Sequence, residues 1–132
     1  MFTSKIFKVA YAITIAEGWK PRYTEMDATN GSKSYINHNP GNLKASPYQI
    51  DIDDEGFAIF ENDFVGFYAI VHQLYLYATD KSKFTAPNDS VEKAISAYNG
   101  AIPGQPIFEN YIKIIEQIAG VSRNDKIESL LT

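Results

Sequence analysis

The chain has 132 residues, 45% hydrophobic and 14% aromatic against 21% charged. That is enough apolar surface to build one folded domain over residues 1–132, and it excludes a globally disordered chain. Cysteine is absent, which excludes a disulfide framework, a thiolate zinc site and a cysteine nucleophile. Twelve Lys and Arg against sixteen Asp and Glu give a net charge of −4, which argues against nucleic acid as the main partner.

The first predicted element is a helix starting at a hydroxyl N-cap, Thr3 or Ser4, with Ile6, Val9, Ala10, Ile13 and Ala16 recurring at helix spacing up to a stop at Gly18. Lys5 and Lys8 precede this apolar stretch, but it runs into Glu17-Gly18-Trp19 without a small-residue cleavage site, so no secretory signal is expected. Residues 18–42 lose periodicity and gather Gly, Pro, Asn, Ser and Thr. They read as a long loop, and long loops in small domains are usually functional. Three short strands are expected next, Leu43–Ala45, Tyr48–Ile52 and Phe57–Phe60, separated by Ser46-Pro47 and by Asp53-Asp54-Glu55-Gly56.

After Asn62-Asp63 the helical period returns, with Phe64, Phe67, Tyr68, Val71, Leu74, Tyr75 and Ala78 on one stripe of a central buried helix. This region, Phe64 to Thr79, is the longest near-helical stretch free of Asp, Glu, Lys and Arg, and it falls short of the roughly 20 apolar residues of a membrane span. Asp89 with Glu92 reads as a capping-box variant for a helix through Tyr98, closed by Asn99-Gly100. Pro106 then takes a first helical position, and Ile107, Phe108, Tyr111, Ile112, Ile115 and Ile118 run to Gly120. A short amphipathic helix around Asp125–Leu131 completes an α+β, mostly helical architecture, with a small antiparallel sheet inserted between helix one and the central helix.

Glu17 stands out. At about 100° per residue from Ile6, Ala10 falls at about 40°, Ile13 at about 340° and Glu17 at about 20°, so the carboxylate lies in the middle of the apolar stripe. It also meets the negative end of the helix dipole. Burial and dipole both favour the protonated form, the condition for a carboxylic acid that donates a proton near neutral pH. The bland alternative is a helix that ends a residue or two earlier, with Glu17 pointing into solvent. Trp19 close by offers an apolar wall or a sugar-stacking face. His38 and His72 lack the acidic surroundings of a metal site, so neither a metal nor a cofactor is expected.

Ala16-Glu17-Gly18-Trp19, Asn39-Pro40-Gly41-Asn42-Leu43 and Gly56-Phe57-Ala58-Ile59-Phe60 followed by Gly66 and Gln73 resemble the lysozyme-like peptidoglycan hydrolases of phage particles and bacterial cell-wall systems. Ala97-Tyr98-Asn99-Gly100 and Glu109-Asn110-Tyr111-Ile112 resemble the later motifs of soluble lytic transglycosylases and goose-type lysozymes. The pieces keep the family's order from about residue 10 to residue 120. One departs from it: Asn99 meets Gly100 directly, where the family often has an extra small residue.

The resemblance implies a lysozyme-like fold acting on bacterial peptidoglycan, with Glu17 as the acid that protonates the glycosidic oxygen and later as the base. Tyr98, Asn99 and Tyr111 would line the cleft, with Tyr111 near Glu17, while Asn39 and Asn42 would shape the loop and offer amides to acetamido groups. Read as residues alone, the two tyrosines are equally core candidates, and Asn39-Pro40-Gly41-Asn42 is equally a turn. The implied setting is virion-associated, part of a larger cell-wall assembly, or delivery to the cell wall or periplasm by a route other than a signal peptide, with the protein otherwise cytoplasmic until release.

Glycoside hydrolysis usually takes two carboxylates. Asp51 and Asp53 lie about where related lysozymes place the second, but with Asp54 and Glu55 they also read as a solvated hairpin tip; Glu25 and Asp27 are further candidates. Without a second acid, the substrate's own acetamido group attacks the sugar carbon and a 1,6-anhydro product leaves, the lytic transglycosylase route. That route is preferred over a hydrolytic muramidase, with a non-catalytic glycan-binding or structural module and a chitin or chitosan hydrolase as further alternatives. The overall acidity does not oppose an anionic wall. Between Ala45 and Asp80 there are seven acids and no Lys or Arg, whereas residues 1–44 hold six bases against three acids.

Overall fold

The computed structural model describes residues 3–19 and 33–132. These residues form α1 (Ser4–Ala16), α2 (Lys33–Ile36), β1 (Asp51–Ile52), β2 (Ala58–Ile59), α3 (Asp63–Ala78), α4 (Val91–Asn99), α5 (Pro106–Ala119) and a closing 3-10 helix (Ile127–Leu131). The mostly helical α+β class with a small antiparallel sheet is as expected. No helix among the described residues is long and apolar enough to cross a membrane. The chain gathers into two compact units, one of Met1–Ile13 with Val71–Thr132 and one of Thr14–Ile70.

In the first unit, α1 starts as its hydroxyls predict. Thr3 is the N-cap, its Oγ1 accepting from Ile6 N at 3.3 Å and donating to the Leu130 carbonyl. Ile6, Val9, Ala10, Ala12 and Ile13 are fully buried; removing an Ile side chain from water contributes about 1.5–3 kcal/mol. The N-cap of α4 differs from the expected capping box. Ser90, not Asp89, caps it, accepting from Lys93 N at 3.1 Å. Asp89 instead accepts from Ala86 N at 2.7 Å and pairs with Lys93 at 3.1 Å, and the Ala86 bond and Lys93 together hold its carboxyl below the usual range. The N–H groups of Val91 and Glu92 in the first turn of α4 donate to Asp125 O and Arg123 O, so the helix start is satisfied by the segment after α5.

α5 begins at Pro106 and buries Phe108, Tyr111, Ile112 and Ile115. Ile107 is 68% exposed, and Ile118 is also outside the core, which narrows the expected stripe. Arg123 ties α4, α5 and the chain end together. Its Nε donates to Glu92 Oε2 at 2.7 Å, its two Nη groups donate to both oxygens of Glu109 at 2.7 and 2.8 Å, and its backbone N donates to Glu116 Oε2 at 3.0 Å. The guanidinium also lies 5.8 Å from the Phe108 ring centroid. Arg123, followed by the Gly104 N–H, pulls the Glu109 carboxyl from 4.5 down to about 2.

A carboxyl depressed in the folded state stabilises that state fully above its unfolded value, and the contribution is gone once pH has fallen through the folded one. Arg123→Gln is therefore expected to lower the urea midpoint at pH 7, and the gap between variant and wild type is expected to close between about pH 4.5 and pH 2. A gap unchanged across that range would show that the ion pair contributes nothing.

In the second unit, the expected three-stranded sheet is a two-stranded ladder, Asp51 opposite Ile59 and Ile52 opposite Ala58. Leu43–Ala45 is not a strand. Ala58 N donates to Leu43 O at 3.0 Å, but the neighbouring carbonyl, Ala58 O, accepts from the Asn39 side chain, so an amide occupies part of the edge that a third strand would pair. Part of the predicted long loop is likewise structured, since 33–36 form α2. Asn62 starts α3, its Oδ1 accepting from Val65 N at 2.9 Å.

The buried face of α3 differs from the predicted stripe. Gly66, Ala69, Ile70, Val71, Leu74, Tyr77 and Ala78 are buried, while Phe64 is 78% exposed and Phe67, Tyr68 and Tyr75 are half-buried. At Gly66 another stretch of backbone lies directly against the helix. A Cβ there would overlap the His38 carbonyl oxygen and come within 2.8 Å of Pro40 Cδ.

Candidate functional site

The site is built on the C-terminus of α1 and on residues 37–43, both within Thr14–Ile70. α1 stops at Ala16, and the two N–H groups that follow fold back: Gly18 N donates to Ile15 O at 3.0 Å and Trp19 N to Thr14 O at 3.1 Å. This pair of bonds is a Schellman cap, with Gly18 at φ 81°, a conformation that only glycine adopts without strain. Glu17 is the C-cap residue, one position past the last helical residue and half-buried. It neither lies deep in the apolar stripe nor points freely into solvent. Its backbone is fixed by its neighbours' hydrogen bonds, and its carboxylate stands at the negative end of the helix.

Residues 37–43 are fastened at nearly every position. Asn37 O accepts from Phe60 N at 2.9 Å, and its Nδ2 donates to Asp53 Oδ2 at 2.8 Å. His38, at φ 51°, pairs its Nδ1 with Asp63 Oδ1 at 3.0 Å. Asn39 is fully buried; its Nδ2 donates to Leu43 O at 2.8 Å and Ala58 O at 2.9 Å, and its Oδ1 accepts from Leu43 N at 2.9 Å. Asn39 thus shapes the loop, as expected, but both of its amide hydrogens are spent within the protein. A role in binding acetamido groups is corrected accordingly.

Asn42 is different. At φ 54° it holds a left-handed conformation that Asn tolerates better than most residues, and its N donates to Asn39 O at 3.0 Å. Its Nδ2 faces Glu17 Oε1 at 3.5 Å. Among the described residues, the buried side-chain polar atoms without a hydrogen-bond partner are Asn42 Oδ1, Trp19 Nε1 and Asn99 Nδ2. All three belong to residues singled out from the sequence.

The two candidate second carboxylates serve the hairpin. Asp53 Oδ1 accepts from Glu55 N at 2.9 Å and Phe57 N at 2.8 Å, while its Oδ2 takes the Asn37 amide. This is the side-chain turn bonding that favours Asp at such tips. Asp51 is exposed, and its Oδ1 accepts from Ile52 N at 2.8 Å. Glu25 and Asp27 lie outside the described residues.

Tyr98, Asn99 and Tyr111 belong to the other unit. Tyr98 is half-buried near the end of α4. Asn99 Oδ1 accepts from Ala101 N at 2.9 Å, bracing the turn at Gly100. Tyr111 is 7% exposed on the inner face of α5, which makes it a core residue with little surface left for a ligand. His72 sits on the flank of α3, where burial, helped by Lys81, lowers its pKa.

Sequence reasoning missed the brace at the back of the site, Asn37 to Asp53 and His38 to Asp63. Its only trace was the density of Asn and Asp around Asn39 and Asn62-Asp63. No family model, no curated protein and no solved structure matches the chain.

Proposed function

We propose that the protein cleaves the β-1,4 bond between N-acetylmuramic acid and N-acetylglucosamine in bacterial peptidoglycan, on a lysozyme-like fold, as a lytic transglycosylase with Glu17 as its single catalytic carboxyl. The observation that carries this reading is the half-buried Glu17 carboxylate at a backbone-locked helix C-cap with the Asn42 amide directed at it. Glu17 would protonate the glycosidic oxygen as that bond breaks. The acetamido carbonyl oxygen of the muramic acid would bond to C1. The ionised Glu17 would then take the proton from the 6-hydroxyl as its oxygen displaces the acetamido group, closing the 1,6-anhydro ring. The hydrogen bonds of Asp51 and Asp53 within the hairpin support a route that needs no second acid.

Mass spectrometry of purified peptidoglycan after digestion tests the reading. Muropeptides ending in 1,6-anhydro-muramic acid are expected. Reducing ends alone would replace the transglycosylase with a hydrolytic muramidase, and no cleavage by freshly folded protein would remove the enzymatic reading.

A further inference from the structure

We propose that the Asn42 side-chain amide follows the protonation state of Glu17, donating from Nδ2 to the ionised carboxylate and turning over to accept through Oδ1 from the protonated acid. Its catalytic consequence rests on the reading of Glu17 as the general acid; the turnover itself does not. A group that acts first as acid and then as base presents a donor in one state and only acceptors in the other. A neighbour that can only donate would hold it in the ionised form, and one that can only accept would hold it protonated. An amide offers both edges, exchanged by a half-turn of nearly unchanged shape.

The surroundings of Asn42 permit that half-turn. In the orientation with Nδ2 facing Glu17 Oε1 at 3.5 Å, Oδ1 is buried without a hydrogen-bond partner, so turning it breaks no bond of the oxygen. The contact with Glu17 is long, and the turned amide gains a donor when that carboxyl carries a proton. Asn39, three residues earlier, shows the opposite arrangement: its amide makes three hydrogen bonds at 2.8–2.9 Å, and a half-turn would break them all. The backbone below Asn42 stays fixed, because Asn42 N is bonded to Asn39 O and Leu43 N to Asn39 Oδ1. Movement is thus confined to the Asn42 amide, which faces Glu17.

The test is an NMR titration of isotope-labelled wild type and Glu17→Gln, following the Glu17 carboxyl carbon and the two Asn42 amide protons. In the wild type the Asn42 signals are expected to move with the same midpoint as Glu17. In Glu17→Gln that step is expected to vanish, and the ionisable side chains that brace residues 37–43, His38, Asp53 and Asp63, are the same in both proteins. Asn42 signals that stay flat through the Glu17 titration, or a step that persists in Glu17→Gln, would overturn the proposal.

For the catalytic part, Asn42→Gly keeps the left-handed backbone and removes the amide. It is expected to lower kcat about tenfold with KM within about twofold, and an unchanged kcat would overturn that part. If the wild type cleaves no glycan, the proposed function fails, and the titration still decides whether Asn42 follows Glu17.

Discussion

Glu17→Gln is expected to lower peptidoglycan cleavage by at least about 10²–10⁴-fold, the usual worth of a positioned general acid, and to leave the protein as stable as the wild type or slightly more so. The two halves of this prediction come from separate parts of the same cap. The turn at the end of α1 is closed by backbone bonds from Gly18 to Ile15 and from Trp19 to Thr14, neither of which uses the Glu17 side chain. Gln keeps the shape and can still meet the Asn42 amide. It also removes a negative charge from the negative end of a helix, a change worth about 0.3–1 kcal/mol in favour of folding.

Cleavage assayed beside a thermal melt therefore separates chemistry from structure. Lost activity with an unchanged or raised Tm supports Glu17 as the acid. Undiminished clearing by the variant would remove Glu17 from the chemistry. A wild type that binds glycan strands without cutting them would favour a non-catalytic module.

The cap was legible in the sequence because each of its parts is local. A hydroxyl at Thr3, a glycine at Gly18 and Pro106 at a first helical position act through bonds to residues a few places away, and periodicity alone drew attention to Glu17. What failed to show depends on partners brought from afar. Asp89 and Ser90 are both good caps, and the choice fell to Ser90 because Asp89 is held by Ala86 and Lys93. Asn39 and Asn42 look alike in the sequence. One lies against two carbonyls and a backbone N–H and is consumed by them, whereas the other meets a carboxylate. The Asp53 carboxylate could be read as an acid for catalysis or as a turn brace, and only the positions of Asn37 and the Glu55 and Phe57 N–H groups distinguish the two. On α3, aromatic residues drew the stripe, although Phe64 is exposed and the packing face includes Gly66, where a second backbone passes.

That face yields the second large effect. Gly66→Ala would ordinarily stabilise a helix interior by about 1 kcal/mol, since Gly is the poorest helix former after Pro. Here the expected sign is reversed. The added methyl would sit on the His38 carbonyl oxygen and within 2.8 Å of Pro40 Cδ, and neither is the end of a flexible side chain that can swing away. Residues 37–40 cannot retreat without giving up bonds of Asn37 to Phe60 and Asp53, of His38 to Asp63, and of Asn39 to Leu43 and Ala58. Overpacking against yielding side chains costs about 1–3 kcal/mol; against a backbone held at so many points, at least the upper end of that range is expected, out of a total stability of about 5–15 kcal/mol. Chemical denaturation should show Gly66→Ala less stable than the wild type by about 3 kcal/mol or more. Activity should fall with it even where the variant is still folded, because the segment that must shift is the one that carries Asn42 to Glu17. Equal or greater stability in Gly66→Ala would mean that residues 37–40 do not press on α3, and the anchoring of Asn42 would fall with that contact.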